Sequence, residues 1–202
     1  MFHKVPADGI ALKLSFDDAC LLLKQPSAAR MIAIDGLPCS GKSTLASKLA
    51  MLLEAECLPV DDFFLPQSDW PTDIRPGFPF PFYRYEEFVV AIGNLTGTGR
   101  CRYFPFDWDE MRVSTTPRIV TLERPVIVEG ASSLHREIAR HYDIRFFVES
   151  DGSTMLEAIL KRDGNFFEKE WRGLWLPSVA SYMLTSPQER ADFLVTGRGA
   201  AV

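Results

Sequence analysis

Gly36-Leu37-Pro38-Cys39-Ser40-Gly41-Lys42-Ser43 meets the spacing G-x-x-x-x-G-K-[ST] at every fixed position, and Thr44 follows. The stretch sits between an apolar run, Met31-Ile32-Ala33-Ile34, and a segment whose leucines recur at helical spacing, Leu45, Leu49, Leu52 and Leu53. Strand, loop, then helix is the order the chemistry requires. Glycines let the backbone curl until successive N–H groups point inward at phosphate oxygens, and the helix behind them presents the positive end of its dipole. Lys42 is placed to reach β- and γ-phosphates, and the Ser43 hydroxyl to ligate Mg²⁺. The motif therefore predicts a site for a nucleoside triphosphate and Mg²⁺ built from Gly36, Leu37, Pro38, Cys39, Ser40, Gly41, Lys42, Ser43 and Thr44.

Working outward, Ser15-Phe16-Asp17-Asp18 opens a short helix to about Lys24, with Ser15 as cap and acids in the first turn, and Gln25-Pro26-Ser27 ends it. Residues 1–30 read as a helical extension ahead of the first strand, Met31–Asp35. Beyond the loop a helix runs to about Glu54, and the apolar Cys57-Leu58-Pro59-Val60 leads into Asp61-Asp62-Phe63-Phe64. A strand–helix–strand unit of about 30 residues implies parallel strands and a right-handed crossover. Residues 65–84, rich in proline and aromatics and including Tyr83, exclude regular helix or central strand. The stretch is too apolar for a linker, so it reads as an ordered loop, either a wall of the substrate site that includes Tyr83 or a cover for the core.

Tyr85–Leu95 returns to helical spacing, Gly97-Thr98-Gly99 is a turn, and Arg118–Leu122 and Pro125–Glu129 read as strands. Val126-Ile127-Val128 has the unbroken apolar character of a strand buried on both faces. Then follow a helix at about Ser133–His141, a strand at Ile144–Val148, a helix at Ser153–Arg162 capped by Ser153, and helical pattern over Phe166–Leu184 broken near Gly173 or Pro177. A last short strand falls at Phe193–Val195. The alternation predicts an α/β fold, the three-layer P-loop NTPase arrangement with a mostly parallel sheet flanked by helices. All of residues 1–202 would form one domain, with about 151–185 as a lid and helical region, and ligands beyond the carboxyl ends of the strands.

Composition limits the partners. The 202 residues carry 22 Lys and Arg against 27 Asp and Glu, a net charge of −5 with no basic block. That argues against nucleic acid, whose phosphate backbone needs a Lys/Arg surface, and leaves a small-molecule acceptor as the expected partner. Cys20, Cys39, Cys57 and Cys101 are scattered and suggest neither zinc nor a disulfide framework, and His3, His135 and His141 are too dispersed for a metal site. No run approaches 18 apolar residues, so no membrane is expected and the protein reads as cytoplasmic. A homo-oligomer stays open.

N-K-x-D and a D-x-x-G switch are both missing, which turns the reading from GTPases to small-molecule kinases. Asp61 and Asp62 fall at the end of the second strand, where an acceptor hydroxyl would sit. Phosphoryl transfer needs positioning, charge neutralisation and a carboxylate to accept the hydroxyl proton. One Asp could do that while the other approaches Mg²⁺ through water.

Phosphate loop, then Asp61-Asp62-Phe63-Phe64, then Tyr103-Phe104-Pro105-Phe106-Asp107-Trp108, then Val128-Glu129-Gly130 resembles the uridine kinase family, related to phosphoribulokinase, pantothenate kinase and nicotinamide riboside kinase. Ala191-Asp192-Phe193-Leu194-Val195 is also similar. The resemblance implies an ATP-dependent kinase acting on a hydroxyl of a nucleoside or similar metabolite. By it, Asp61 is the general base, which leaves Asp62 as the one that approaches Mg²⁺ through water, Glu129 joins Ser43 at Mg²⁺, and Asp107 and Arg112 fall near the acceptor. The arginine-rich lid of uridine kinases is reduced here to Lys161-Arg162-Asp163, which makes Arg162, then Arg172, the candidate for stabilising the transferred charge. A phosphorylated or carboxylated acceptor would instead call on Arg75, Arg84 or Arg112, and a regulator that binds ATP without turnover is the reading outside enzymes.

Overall fold

In the computed structural model, which describes residues 11–24 and 29–197, the chain folds around one parallel sheet. Its strands are β1 (Leu12–Leu14), β2 (Met31–Gly36), β3 (Glu56–Pro59), β4 (Arg100–Tyr103), β5 (Phe106–Asp107), β6 (Arg112–Val113), β7 (Arg118–Thr121), β8 (Val126–Glu129), β9 (Ile144–Glu149) and β10 (Phe193–Thr196). Six of them make the main sheet in the order β1-β10-β9-β2-β8-β3, every neighbouring pair parallel. β4 with β7 and β5 with β6 form separate two-stranded antiparallel ribbons. The main helices are α1 (Phe16–Lys24), α2 (Lys42–Leu53), α3 (Tyr85–Thr98) and α4 (Met155–Asp163). Later come the short α5 (Glu168–Glu170) and α6 (Leu176–Met183).

Side chains alternate across a strand, so each central strand feeds two cores. Met31, Ala33, Val126 and Val128 pack with Phe88, Ile92 and Leu95 of α3 on one face. Ile32, Ile34, Ile127 and Phe146 pack with Ala19 and Leu23 of α1 and Leu45 and Leu49 of α2 on the other. Helix, sheet, helix gives the three layers expected. A third cluster, built on Phe64, Phe80, Phe82, Phe106, Trp175 and Tyr182, adjoins the first through Tyr83 and Met183.

Several local expectations need correction. Residues 12–14 are a strand, which three residues of Leu-Lys-Leu are too short to announce. β7 pairs with β4 outside the main sheet. β8 lies between β2 and β3, so the strand that carries Asp61 is not the immediate neighbour of the loop strand. No helix forms at 133–141. Ser132 takes a φ of 79°, Asp35 binds the amides of Ser132 and Leu134, and Arg190 Nε donates to the Leu134 carbonyl at 2.6 Å. These bonds consume the groups a helix would use, leaving turns and one 3₁₀ turn at Ala139–His141. Ser153 does not cap α4, because its amide and hydroxyl both donate to Asp151. Glu168 to Met183 passes Gly173 and Pro177 unbroken through a π-helical stretch at Trp171–Trp175. The helix stop assigned to Gln25-Pro26-Ser27 lies outside the described residues.

Candidate active site

β2 delivers the chain to the loop at Gly36, and α2 leaves it at Lys42. Gly36 holds a φ of 145°, and a Cβ there would stand 2.4 Å from the carbonyl oxygen of Val148 on β9. Gly41 holds 107°, with the Phe16 ring 3.0 Å from where a Cβ would be. Both positions accept only glycine. The loop is drawn tight by the Ser40 amide donating to the Leu37 carbonyl at 3.2 Å, and Lys42 Nζ donates to the same carbonyl at 3.0 Å. Lys42 is thus held inside the curl it is expected to serve.

Three strand ends converge on this loop. β8 ends at Glu129, whose Oε1 accepts from the Ser43 hydroxyl at 3.2 Å. Gly130 then turns the chain with φ 145°, its Cα so close to Val60 that a Cβ would lie 2.6 Å from the Val60 Cβ. Beyond β3, a 3₁₀ turn at Val60–Phe63 presents Asp61, and the Tyr83 hydroxyl donates to Asp61 Oδ1. Asp61, Glu129, Lys42, Ser43 and Tyr83 line one cleft of about 690 Å³, together with Arg162 of α4. Burial pushes the Glu129 carboxyl above its ordinary range, Lys42 pulls it back, and the like charge of Asp61 pushes it up again. Facing carboxylates beside a hydroxyl form a set of hard oxygen donors.

That set suits Mg²⁺, which binds through one or two protein oxygens while keeping waters and substrate phosphates. Among the described residues no three His, Cys, Asp or Glu side chains gather into a complete metal cage. The residues present fit a nucleotide-borne cation: Ser43 and Glu129 would hold it, and the glycine cradle leaves amides free of side chains.

Asp35 is the residue the motif reading passed over. It is wholly buried at the end of β2 and accepts from the amides of Gly36 at 2.6 Å, Ser132 at 3.3 Å and Leu134 at 2.7 Å, and from the Tyr182 hydroxyl at 2.5 Å. Burial raises its pKa, while the Tyr182 bond, the backbone bonds and Lys42 lower it. One carboxylate so ties the loop strand to the turn after β8 and to α6. An acid ending an otherwise apolar strand, Met-Ile-Ala-Ile-Asp, was the available signal.

The other named residues divide. Arg162 reaches the cleft, paired with Asp163 at 2.5 and 2.8 Å. Arg172 does not line it and binds Glu168 at 2.7 Å. Asp62 turns away, accepting from Tyr103 at 2.7 Å and Arg118 at 3.1 Å, so it is not brought to Ser43 and Glu129. Asp107 folds back onto the amides of Asp109 and Glu110, both at 3.0 Å, and Arg112 lies beside Glu110 at 3.5 Å. Neither lines the cleft. Arg84 spends its guanidinium on the carbonyls of Asp62, Phe64 and Phe104 and on Glu87. Of the loop 65–84, Phe80, Phe82 and Tyr83 line the cleft, joined by Phe64, Trp108, Phe167, Trp171 and Trp175.

No protein-family model and no curated protein matches this sequence. Among solved structures, a possible uridine kinase from Bacillus stearothermophilus superposes with a TM-score of 0.70 at 19% identity, covering 89% of this chain and 96% of the other. A protein described as a fructose transport system kinase, from Silicibacter sp. TM1040, superposes with a TM-score of 0.66 at 22% identity, covering 90% and 98%. The fold is the three-layer α/β arrangement that these two structures share. Similarity at this level is one of architecture, and it spans nearly the whole length of both neighbours. No helix among the described residues is long and apolar enough to cross a membrane.

Proposed function

We propose that the protein is a Mg-ATP-dependent kinase that phosphorylates a hydroxyl of a small molecule, a nucleoside or a similar metabolite. One observation carries this reading: Lys42 and Ser43 of the phosphate loop share a cleft with Asp61, a carboxylate positioned by Tyr83, and with Glu129. Bound Mg-ATP supplies the transferable phosphoryl group and neutralises its charge. Lys42 and the loop amides hold the phosphates in register, and Ser43 and Glu129 orient the cation. Asp61 accepts the proton of the acceptor hydroxyl, and Tyr83 fixes the rotamer that does so. Arg162 covers the charge that develops on the transferred group, electrostatic stabilisation being the largest catalytic contribution in most such sites.

The kinase names of the two structural neighbours support this choice over other uses of the loop. The Asp61–Tyr83 pair favours it over a regulator that only binds nucleotide, because sensing needs no base. The test is ATP consumption with Mg²⁺ against nucleosides, nicotinamide riboside, pantothenate and simple sugars, with Lys42→Ala as control. Acceptor-dependent turnover lost in the control is the expected result. Asp61→Asn should lower kcat by about 10²–10⁴ while nucleotide affinity holds, the range for loss of a general base. Nucleotide binding with no turnover on any acceptor would refute the kinase reading.

A further inference from the structure

Arg84 does not line the cleft, although an anionic acceptor would have called on it. Its side chain is only 10% exposed, and its acid neighbour, Glu87, is 54% exposed. A guanidinium this far out of water is costly unless its N–H groups find partners. Four of the five do. Nε donates to the Phe64 carbonyl at 3.3 Å, Nη2 to the carbonyls of Asp62 and Phe104, both at 2.8 Å, and Nη1 to Glu87 at 2.5 Å. The Arg84 amide adds a bond to the Phe63 carbonyl at 2.7 Å. Three successive carbonyls, Asp62, Phe63 and Phe64, thus accept from one residue.

Those carbonyls belong to the 3₁₀ turn Val60–Phe63 and the residue that follows it, the turn that carries Asp61. Asp61 is itself exposed, and Tyr83, next to Arg84 in the chain, holds its carboxylate. Arg84 is in turn fixed from behind. It stands immediately before α3, and its carbonyl accepts from the Phe88 amide at 3.2 Å. The buried rings of Phe63 and Phe88 lie 5.2 Å apart beneath it. One planar fork therefore ties the turn to the start of α3 and to the chain entering β5 at Phe104. A lysine, with a single nitrogen, could not serve acceptors in these separate directions.

The geometry points to Arg84 as a positioning residue for Asp61. It holds the backbone of the turn, and through it the place of the carboxylate, without touching nucleotide or acceptor. On the kinase reading, on which this rests, that place decides the rate. A general base must lie within hydrogen-bond reach of the proton it takes. A displacement of about 1 Å can cost about 10²-fold.

The full chain is assayed with Mg-ATP and the acceptor that the wild type turns over best. Arg84→Ala should lower kcat about 100-fold while acceptor KM and nucleotide affinity stay within about threefold. Arg84→Lys keeps the charge and most of the bulk, and should still lose at least about tenfold in kcat, because it lacks the fork. In an Asp61→Asn background either substitution should change kcat by less than about threefold, the base it positions being gone already. Hydrogen exchange, run without acceptor, reads the turn itself. The Phe64 amide bonds the Asp61 carbonyl at 3.2 Å and the Leu65 amide the Phe82 carbonyl at 2.9 Å. Both should exchange at least about tenfold faster in Arg84→Ala, with the amides of β2 as the internal reference.

A rise in acceptor KM with kcat kept would make Arg84 an acceptor-binding group and overturn the inference. Equal losses of kcat with and without Asp61 would leave a merely structural role and overturn it too, as would unchanged exchange at Phe64 and Leu65. If Arg84→Ala does not fold, Arg84→Lys carries the same comparisons. The two readings fail separately. Wild-type turnover with an indifferent Arg84→Ala sinks only the inference. Wild-type turnover on no acceptor sinks the kinase reading, and the exchange comparison then decides by itself whether Arg84 holds the turn.

Discussion

Tyr182→Phe removes one hydroxyl from a fully buried polar contact, the bond to Asp35. The ring is 1% exposed and packs against Phe78 at 4.6 Å, so phenylalanine should fill the same space without a cavity. Asp35 then keeps its three backbone donors and loses the fourth. A hydrogen bond to a charged group contributes about 1.5–3 kcal/mol. For a chain of this size each kcal/mol moves Tm by about 2–4 °C, which predicts a fall of about 3–12 °C at neutral pH. Calorimetry on the wild type and the variant measures it.

The sign with pH is fixed by linkage. Asp35 has its folded-state pKa raised above 3.8, so its contribution to stability is present below that value and is lost as pH rises through the folded one. Tyr182 opposes the rise, and its removal should therefore cost more near pH 7 than near pH 4. In an Asp35→Asn background the same step should cost about 0.5–1.5 kcal/mol, the contribution of a neutral hydrogen bond. A Tm change under about 1 °C at pH 7, or an equal cost in both backgrounds, would refute the assignment of Asp35 as the anchor between the loop strand and α6.

Gly36→Ala should cost at least about 1–3 kcal/mol from backbone conformation alone, with the Val148 carbonyl clash added, and abolish nucleotide binding by calorimetric titration. Native-like stability would contradict the close approach of β2 and β9. Glu129→Gln should raise Tm at neutral pH and flatten its fall as pH climbs above 4.5, because burial raises the Glu129 pKa, while Mg²⁺-dependent turnover is lost. Superimposable Tm–pH profiles would remove Glu129 from the electrostatics of the cleft. Arg162→Ala should lower kcat about 100-fold, as loss of one charge-stabilising group does, and Arg172→Ala, outside the cleft, should stay within about twofold. Steady-state kinetics in which Arg172→Ala is the worse variant would reverse that ranking.

The parts of the site legible in sequence are those where chemistry dictates spacing along the chain. Gly36 to Ser43 is one continuous stretch of chain, Asp61 lies on the turn just after β3, and Glu129 ends β8, both strands recognisable by their apolar runs. What could not be read depends on where a side chain turns at the end of its own element. Asp61 and Asp62 are neighbours on a 3₁₀ turn, yet one faces the cleft and the other Tyr103 and Arg118. Asp107 was absorbed by its own turn, a local competition that short acids commonly win. The absent helix at 133–141 was overruled by Asp35 and Arg190, both far away in sequence. The π-helical stretch before α6 let one helix run through a glycine and a proline that looked like a break. The aromatic wall drew on four segments, of which only the loop 65–84 looked like part of a site in the sequence.

β1 has a consequence for the order in which the molecule can assemble. Its sheet neighbour is β10, and Leu12 sits opposite Phe193, so two strands far apart along the chain dock side by side. Contacts this distant in sequence close slowly. Until β10 is laid against β9, β1 has no strand to pair with, and removing residues 193–196 would leave β1 without its partner and the β9 edge open.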